Sequence, residues 1–254
     1  MLTTKAMTML KHLPDDFTAV ITGAGGGIGR AMLKTLLASP RPGRVIAVSR
    51  QMPDHDDPRL THLALDVTTD QGLGALADHL AGTAVHLVFN AIGTLHDEQR
   101  GIVPEKKLDE LSFAALEHLY HVNAATPAML LQALTPSLKG KHPTLFASLS
   151  ARVGSIGDNE LGGWYAYRAS KAAHNMLIKG ASIELKRLNK QAILLSLHPG
   201  TTDTTLSKPF QARVPKGKLF TADFAAERML KVMDARTPAD SGSFWDWAGE
   251  PIPW

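Results

Sequence analysis

The 254-residue chain contains no cysteine. That excludes disulfides, thiolate nucleophiles and Cys-ligated metal sites, and it fits a reducing compartment. Charge of one sign is not concentrated either. Net charge is +3, and the 27 Lys and Arg residues are scattered. With no basic run and no aromatic-interleaved patch, the surface reads as an ordinary solvated one rather than a nucleic-acid interface. No apolar stretch approaches the length of a membrane span. Residues 1–13 mix polar and apolar side chains, with Lys11 and His12 interrupting them, and no apolar h-region follows. No signal peptide is expected. These absences predict a cytoplasmic protein with neither nucleic acid nor membrane as partner.

At 44% hydrophobic and 20% charged residues, the chain can bury a sizeable core. Short apolar, β-branched runs alternate with longer helical patterns. The runs are Ala19–Thr22, Val45–Val48, Thr61–Ala64, Val85–Asn90, Thr144–Ser148 and Ala192–His198. Helical patterns cover Arg30–Ala38, Gln71–Ala81, Leu108–Leu134 and Tyr167–Leu188. This rhythm predicts a doubly wound α/β fold: a parallel sheet with helices on both faces. No repeat or linker divides residues 1–254, so a single Rossmann-type domain is the simplest reading. Residues 201–219 are rich in Thr, Lys and Pro and lack periodicity. They read as a substrate loop after the last central strand.

The run Thr22-Gly23-Ala24-Gly25-Gly26-Gly27-Ile28-Gly29 lies between a strand pattern and a helix pattern. Glycine lets the backbone approach a pyrophosphate, and the helix N-terminus aims free N–H groups at it. The competing reading is a turn that uses glycine only for positive φ. About 20 residues further on, an acidic side chain reads a ribose 2′-hydroxyl and a basic one accommodates a 2′-phosphate. Ser49 and Arg50 stand there, with no carboxylate. NADP(H) is therefore favoured over NAD(H). The alternative is an Arg that merely ends an edge strand.

Tyr167 and Lys171 are four residues apart, so they share one helix face. A free phenol ionises near about 10, too high for acid–base work at neutral pH. A neighbouring ammonium and a positively charged nicotinamide favour phenolate and are expected to lower that value. Taken alone, the pair also fits a snorkelling Lys beside a half-buried Tyr. Tyr165 has no Lys four residues on, and it packs or lines the mouth of the site.

Taken together, these motifs resemble the short-chain dehydrogenase/reductase family, from about Phe17 to Thr205. Thr22 to Gly29 matches the family's cofactor turn, which assigns cofactor contacts to Gly23, Gly27, Ile28 and Gly29. Asp66-Val67 matches the pair that contacts the adenine, although Asp66 also suits a helix cap. Asn90-Ala91-Ile92-Gly93 resembles the family's Asn-Asn-Ala-Gly, with Phe89 in place of the first Asn. Asn123 matches the helix Asn that holds a water near the catalytic Lys. Pro199, Gly200 and Thr204 match the segment at the nicotinamide carboxamide. The stretches Ser150–Ile156, Gly162–Arg168 and Trp245–Trp254 are similar to the C-factor-like proteins and the sniffer-type carbonyl reductases. The resemblance implies reversible NADP(H)-dependent reduction of a carbonyl to an alcohol. Tyr167 and Lys171 would be the acid–base pair, and Lys171 would also hold the nicotinamide ribose.

One position departs from the family. Where the family has Ser-Ser-x-x-Gly, the slot of the second Ser holds Ala151, and Ser150 sits one residue earlier. Adjacent strand residues point to opposite faces, so Ser150 replaces the missing hydroxyl only if the backbone bulges. Ser155 is the other candidate. Losing a donor aimed at an oxyanion costs on the order of 10²-fold or more in rate. The departure therefore motivates a rival reading, a weakly catalytic or non-catalytic NADP(H)-binding regulatory protein.

Other residues carry less. His118 and His121 lack a zinc motif, so no metal site is expected. His198 either lines the site or serves the strand end. Ser148 and Ser150 lack a nucleophile elbow, which leaves a serine hydrolase unsupported. The expected partners are a small carbonyl or alcohol substrate and further copies of the chain. The helices over 108–134 and 167–188 would pair in a homodimer or homotetramer.

Overall fold

The computed structural model describes residues 9–51 and 56–254. Seven strands form one sheet: β1 (Phe17–Thr22), β2 (Pro42–Ser49), β3 (Leu60–Ala64), β4 (Leu87–Asn90), β5 (Thr144–Leu149), β6 (Ala192–His198) and β9 (Ser243–Asp246). Their spatial order is β3-β2-β1-β4-β5-β6-β9, and every pairing is parallel. The first six fall on the expected apolar runs. Such strands are buried on both faces, which is why they read as continuous apolar stretches rather than alternating ones.

Each face has its own core. Ala19 and Ile21 of β1 pack on one side with Met32 and Leu36 of α1 (Gly27–Leu37) and Met229 and Met233 of α6 (Ala222–Asp234). Val20, between them in sequence, faces the other side. There it meets Leu76 of α2 (Asp70–His79), Leu130 and Leu134 of α4 (Thr126–Leu138), and Ile178 of α5 (Tyr165–Leu188). The strand order reverses between β1 and β4. Loops at the carboxyl ends of these strands diverge there, opening the crevice where such sheets bind ligands.

Three features differ from the sequence expectation. First, the helix expected over Leu108–Leu134 is broken. Leu108–Glu110 is an isolated 3₁₀ turn, and α3 (Phe113–Tyr120) starts only after Ser112, whose hydroxyl caps Ala115 N–H at 3.2 Å. A π turn, His121–Ala125, then separates α3 from α4. Second, residues 201–219 are not structureless. Thr201–Thr202 (β7) pairs with Leu219–Phe220 (β8), and a 3₁₀ turn spans Lys208–Arg213. Third, α6 and β9 lie beyond the last expected element. Thr221 caps α6 by accepting from Phe224 N–H, and β9 owes its state to pairing with β6.

Candidate active site

The turn after β1 is shaped by contacts that only glycine tolerates. Gly23 has φ +74°, and a Cβ on Gly29 would lie 2.2 Å from the Gly23 carbonyl oxygen. The tight approach starts α1 at Gly27 with no side-chain cap and no acid in its first turn. The first bond into the helix is Arg30 N–H to Gly26 O, 2.7 Å, so the earlier N–H groups of Gly27, Ile28 and Gly29 lack an intrahelical acceptor. All three residues line a cleft of about 550 Å³. Such a terminus is chemically suited to a pyrophosphate.

The same cleft is bordered by Arg50, Ala91, Gly93, Pro199, Gly200 and Thr204. Other expected contacts do not border the cleft. Asn90 is fully buried and ties three strands together: its Oδ1 accepts from Thr22 Oγ1 (2.7 Å) and its Nδ2 donates to Ser148 Oγ (2.8 Å). Ser49 turns its hydroxyl to Gln51 O and His62 Nε2. Val67 is core. Asp66 binds Thr68 through its N–H (3.0 Å) and hydroxyl (2.7 Å). Those bonds, helped by Arg50 and His121, hold its carboxyl below the usual range against the opposing effect of burial. The cap of α2 is Thr69, not Asp66.

At the far end of the cleft, α5 presents Tyr167 and Lys171. Its N-terminus begins at Trp164, which has φ +50° and offers no side-chain cap. The cap comes instead from far along the chain: Glu105 O accepts from Trp164 N–H (2.5 Å), and Glu105 Oε2 from Ala166 N–H (3.3 Å). Lys171 is 3% exposed; its Nζ donates to Leu149 O at 2.9 Å and lies 5.9 Å from the centre of the Tyr167 ring. Burial lowers the Lys171 ammonium to about 8. Burial also pushes the Tyr167 phenol above its ordinary value. That reverses the lowering expected from the Tyr–Lys spacing, because loss of hydration disfavours phenolate.

Asn123 sits in the π turn and braces the loop after β4. Its Oδ1 accepts from Thr94 N–H (2.8 Å), and its Nδ2 donates to Thr94 O (2.8 Å) and Ser170 Oγ (3.0 Å). It therefore stands behind Lys171 and Gly93 rather than in the cleft. A Cβ on Gly93 would lie 3.3 Å from Asn123 Oδ1 and 3.4 Å from Lys171 Nζ.

The wall around Tyr167 is apolar and aromatic. Trp164 meets Tyr167 edge-on at 6.3 Å and Phe210 at 5.2 Å, and His96 meets Phe210 at 6.0 Å. Sequence reasoning did not single out Trp164, Phe210 or His96. Ala151 packs in this apolar cluster with Tyr167. Ser150 Oγ donates to Asn175 Oδ1 at 2.7 Å, and Ser155 Oγ accepts from Asp158 N–H at 3.1 Å. Neither hydroxyl takes the place left by Ala151. His198 and Arg152 also border the cleft, and Arg152 pairs with Asp158 (3.2 Å) and Asp246 (3.1 Å). Burial, then the charge of Arg152, lowers His198 to about 4, with Asp246 opposing. Among the described residues, no cluster of three metal-ligating side chains occurs, and no helix is long and apolar enough to cross a membrane.

Comparison with known proteins places this geometry in a family. The short chain dehydrogenase family model matches residues 17–214. The C-signal protein of Myxococcus xanthus is 33% identical over 147 residues, covering 58% of this chain and 83% of that protein. A Rhodococcus 1-hydroxy-2-glutathionyl-2-methyl-3-butene dehydrogenase is 31% identical over 192 residues, covering 75% of this chain and 78% of its own. Among solved structures, an NADPH-bound carbonyl reductase from chicken fatty liver superposes with a TM-score of 0.81 at 27% identity, over 95% of both chains. The carbonyl reductase Sniffer of D. melanogaster shares the fold, with a TM-score of 0.79 at 21% identity over 94% of this chain and 100% of its own. The chain belongs to the short-chain dehydrogenase family of oxidoreductases.

Proposed function

We propose that the protein is an NADP(H)-dependent reductase that converts a carbonyl to an alcohol, reversibly. One observation carries this reading: a single cleft joins the uncapped N-terminus of α1 to the buried Tyr167–Lys171 pair. The residues suit the cofactor. Gly27, Ile28 and Gly29 would hold the pyrophosphate, Arg50 the 2′-phosphate, Lys171 the nicotinamide ribose, and Pro199, Gly200 and Thr204 the carboxamide end. When bound, NADPH supplies the hydride. Tyr167, kept protonated by burial, holds at its Oη the proton that the carbonyl oxygen needs. Asn123 fixes the loop at Thr94 and Gly93 and so supports the floor under Lys171. The aromatic wall of Trp164 and Phe210 excludes water and suits an apolar substituent on the substrate.

Titration with NADPH and NADH, followed by NADPH oxidation against a panel of carbonyls, tests the reading. Tight NADPH binding with turnover is expected, as is loss of turnover in Tyr167→Phe with cofactor binding retained. Equal activity in that variant overturns the mechanism. Ala151 favours one other reading, an NADP(H)-binding regulatory protein with little turnover. Tight NADPH binding with no oxidation across the panel would support it.

A further inference from the structure

Resting on the reductase reading, we propose that the substrate is an elongated ketone whose apolar arm runs from the cleft, past the His96–Phe210 ring contact, into a second pocket at Val103, Pro104 and Pro209. That pocket measures about 410 Å³, and His96 and Phe210 border both it and the cleft. Space motivates the annex. On the reductase reading the cleft, about 550 Å³, serves a dinucleotide and a substrate together. One drug-sized ligand alone occupies about 300–1,000 Å³. The second pocket is no independent site. Its charged residues, Glu98, Lys106 and Glu110, are all exposed, and Glu110 Oε2 already accepts from Lys106 N–H (2.7 Å). Among the described residues, no buried charged side chain lines it to fix a ligand, while Val103, Pro104, Pro209 and Phe210 offer walls for hydrocarbon.

Two loops build the shared wall. In the loop after β4, Thr94 Oγ1 donates to His96 O (2.8 Å), and Asp97 and Ile102 exchange both backbone hydrogen bonds (2.9 and 2.8 Å). That hairpin brings His96 and Val103, the next residues outward, to one pocket. Val103 is left 67% exposed, an apolar side chain without an apolar cover. In the loop after β6, Phe210 lies on the 3₁₀ turn Lys208–Arg213, which is tied down where Gln211 Nε2 donates to Asp203 Oδ1 (2.7 Å). The His96 and Phe210 rings meet edge-on, at 6.0 Å and 64°. Phe210 also meets Trp164, which meets Tyr167, so a ketone with its oxygen at Tyr167 Oη can lay its far end along this wall. An edge contact is worth about two- to thirteenfold in equilibrium, and a buried methylene about fourfold. An arm that buries two methylenes therefore outweighs the contact it parts.

The test uses the full chain with NADPH and a series of 4-n-alkylacetophenones, methyl to hexyl, or the same arms on whichever panel ketone the protein reduces best. From methyl to hexyl, kcat/KM is expected to rise about tenfold or more, through KM, with kcat held within about threefold. The first carbons, which part the ring contact, should gain less than the later ones. Val103→Asp should cut the hexyl-over-methyl gain about fivefold or more, because the arm then meets a charge. Val103→Leu, which keeps the wall apolar, should preserve the gain. In the complex of the wild type with NADP⁺ and the hexyl ketone, nuclear Overhauser effects should link the terminal methyl of the arm to the Val103 methyls. A flat series, a gain that survives Val103→Asp, or a terminal methyl with no contact to Val103 overturns the second pocket and leaves the reductase reading standing. If no ketone of the panel or the series is bound or reduced, the reductase reading fails and this inference falls with it.

Discussion

Nδ1 of His174 lies 3.1 Å from the carbonyl oxygen of Asn123 and donates to it across the seam between α5 and the π turn. The bond answers a local deficit. In a regular helix the Asn123 carbonyl would accept from residue 127, but Pro127 has no N–H. The turn widens, Thr126 Oγ1 reaches back to His121 O at 2.9 Å, and His174 takes over the carbonyl that proline cannot serve. The side chain of Asn123 is then free to brace Thr94.

That arrangement predicts acid sensitivity. Burial, then the charge of Lys171, lowers His174 to about 3 from 6.5, and His198 falls to about 4. Unfolding returns both to their ordinary value. Between pH 6.5 and about 4 the unfolded chain therefore binds more protons than the folded one, and stability falls as the pH falls. Urea midpoints measured from pH 7.5 down to 4.5 should decline through this window. His174→Gln should flatten the decline while lowering stability at pH 7.5 by about 1–3 kcal/mol. An unchanged slope would remove His174 from the account.

Lys171 predicts a dependence on the alkaline side. Its ammonium loses charge as pH rises through about 8. NADPH affinity, followed by fluorescence, should weaken across that pH, and Lys171→Met should bind weakly at every pH with that step abolished. A step of equal size in the variant would assign it to another group.

Arg50 is the predicted reader of the 2′-phosphate. A charge-assisted hydrogen bond contributes about 1.5–3 kcal/mol. Arg50→Ser should therefore lower NADPH affinity by about 10–100-fold and leave NADH affinity within about twofold. Equal losses for both cofactors would place Arg50 at the turn rather than at the phosphate.

Self-association is expected through the helices beside the site. Phe113 is 84% exposed, and on α5 Met176 is 71% and Ile183 54% exposed. These apolar side chains suit a two-fold pairing of like helices. Light scattering should report a dimer or tetramer, and Met176→Lys with Ile183→Lys should shift it to smaller species. A wild-type monomer at micromolar concentration would end this expectation.

Much of the fold can be read from local pattern. The β-branched runs of β1 to β6 and the glycines at 23, 27 and 29 carry their own signals. The outward turn of Ser150 follows from strand alternation. Helix α6 was readable as well: Ala225, Ala226, Met229, Leu230 and Met233 have helical spacing after the Thr221 cap. Other features depend on partners far along the chain. The π turn is set jointly by Pro127 and His174, β9 is short and exists by pairing, and the sign of the Tyr167 shift follows from burial. Trp164 and Phe210 carry no motif, and only the folded chain brings them to Tyr167.

Glu105 links two properties usually tuned separately. Its segment belongs to the loop that runs from the aromatic wall at His96 toward α3, and its carboxylate and carbonyl hold the start of α5 two residues ahead of Tyr167. Under the proposed mechanism, repertoire and reactivity are geared together: a graft on this side that displaces Glu105 also removes the bonds that close the start of the helix bearing Tyr167. Engineering a new preference into this scaffold means carrying residue 105 along with the graft, or rebuilding the terminus it closes.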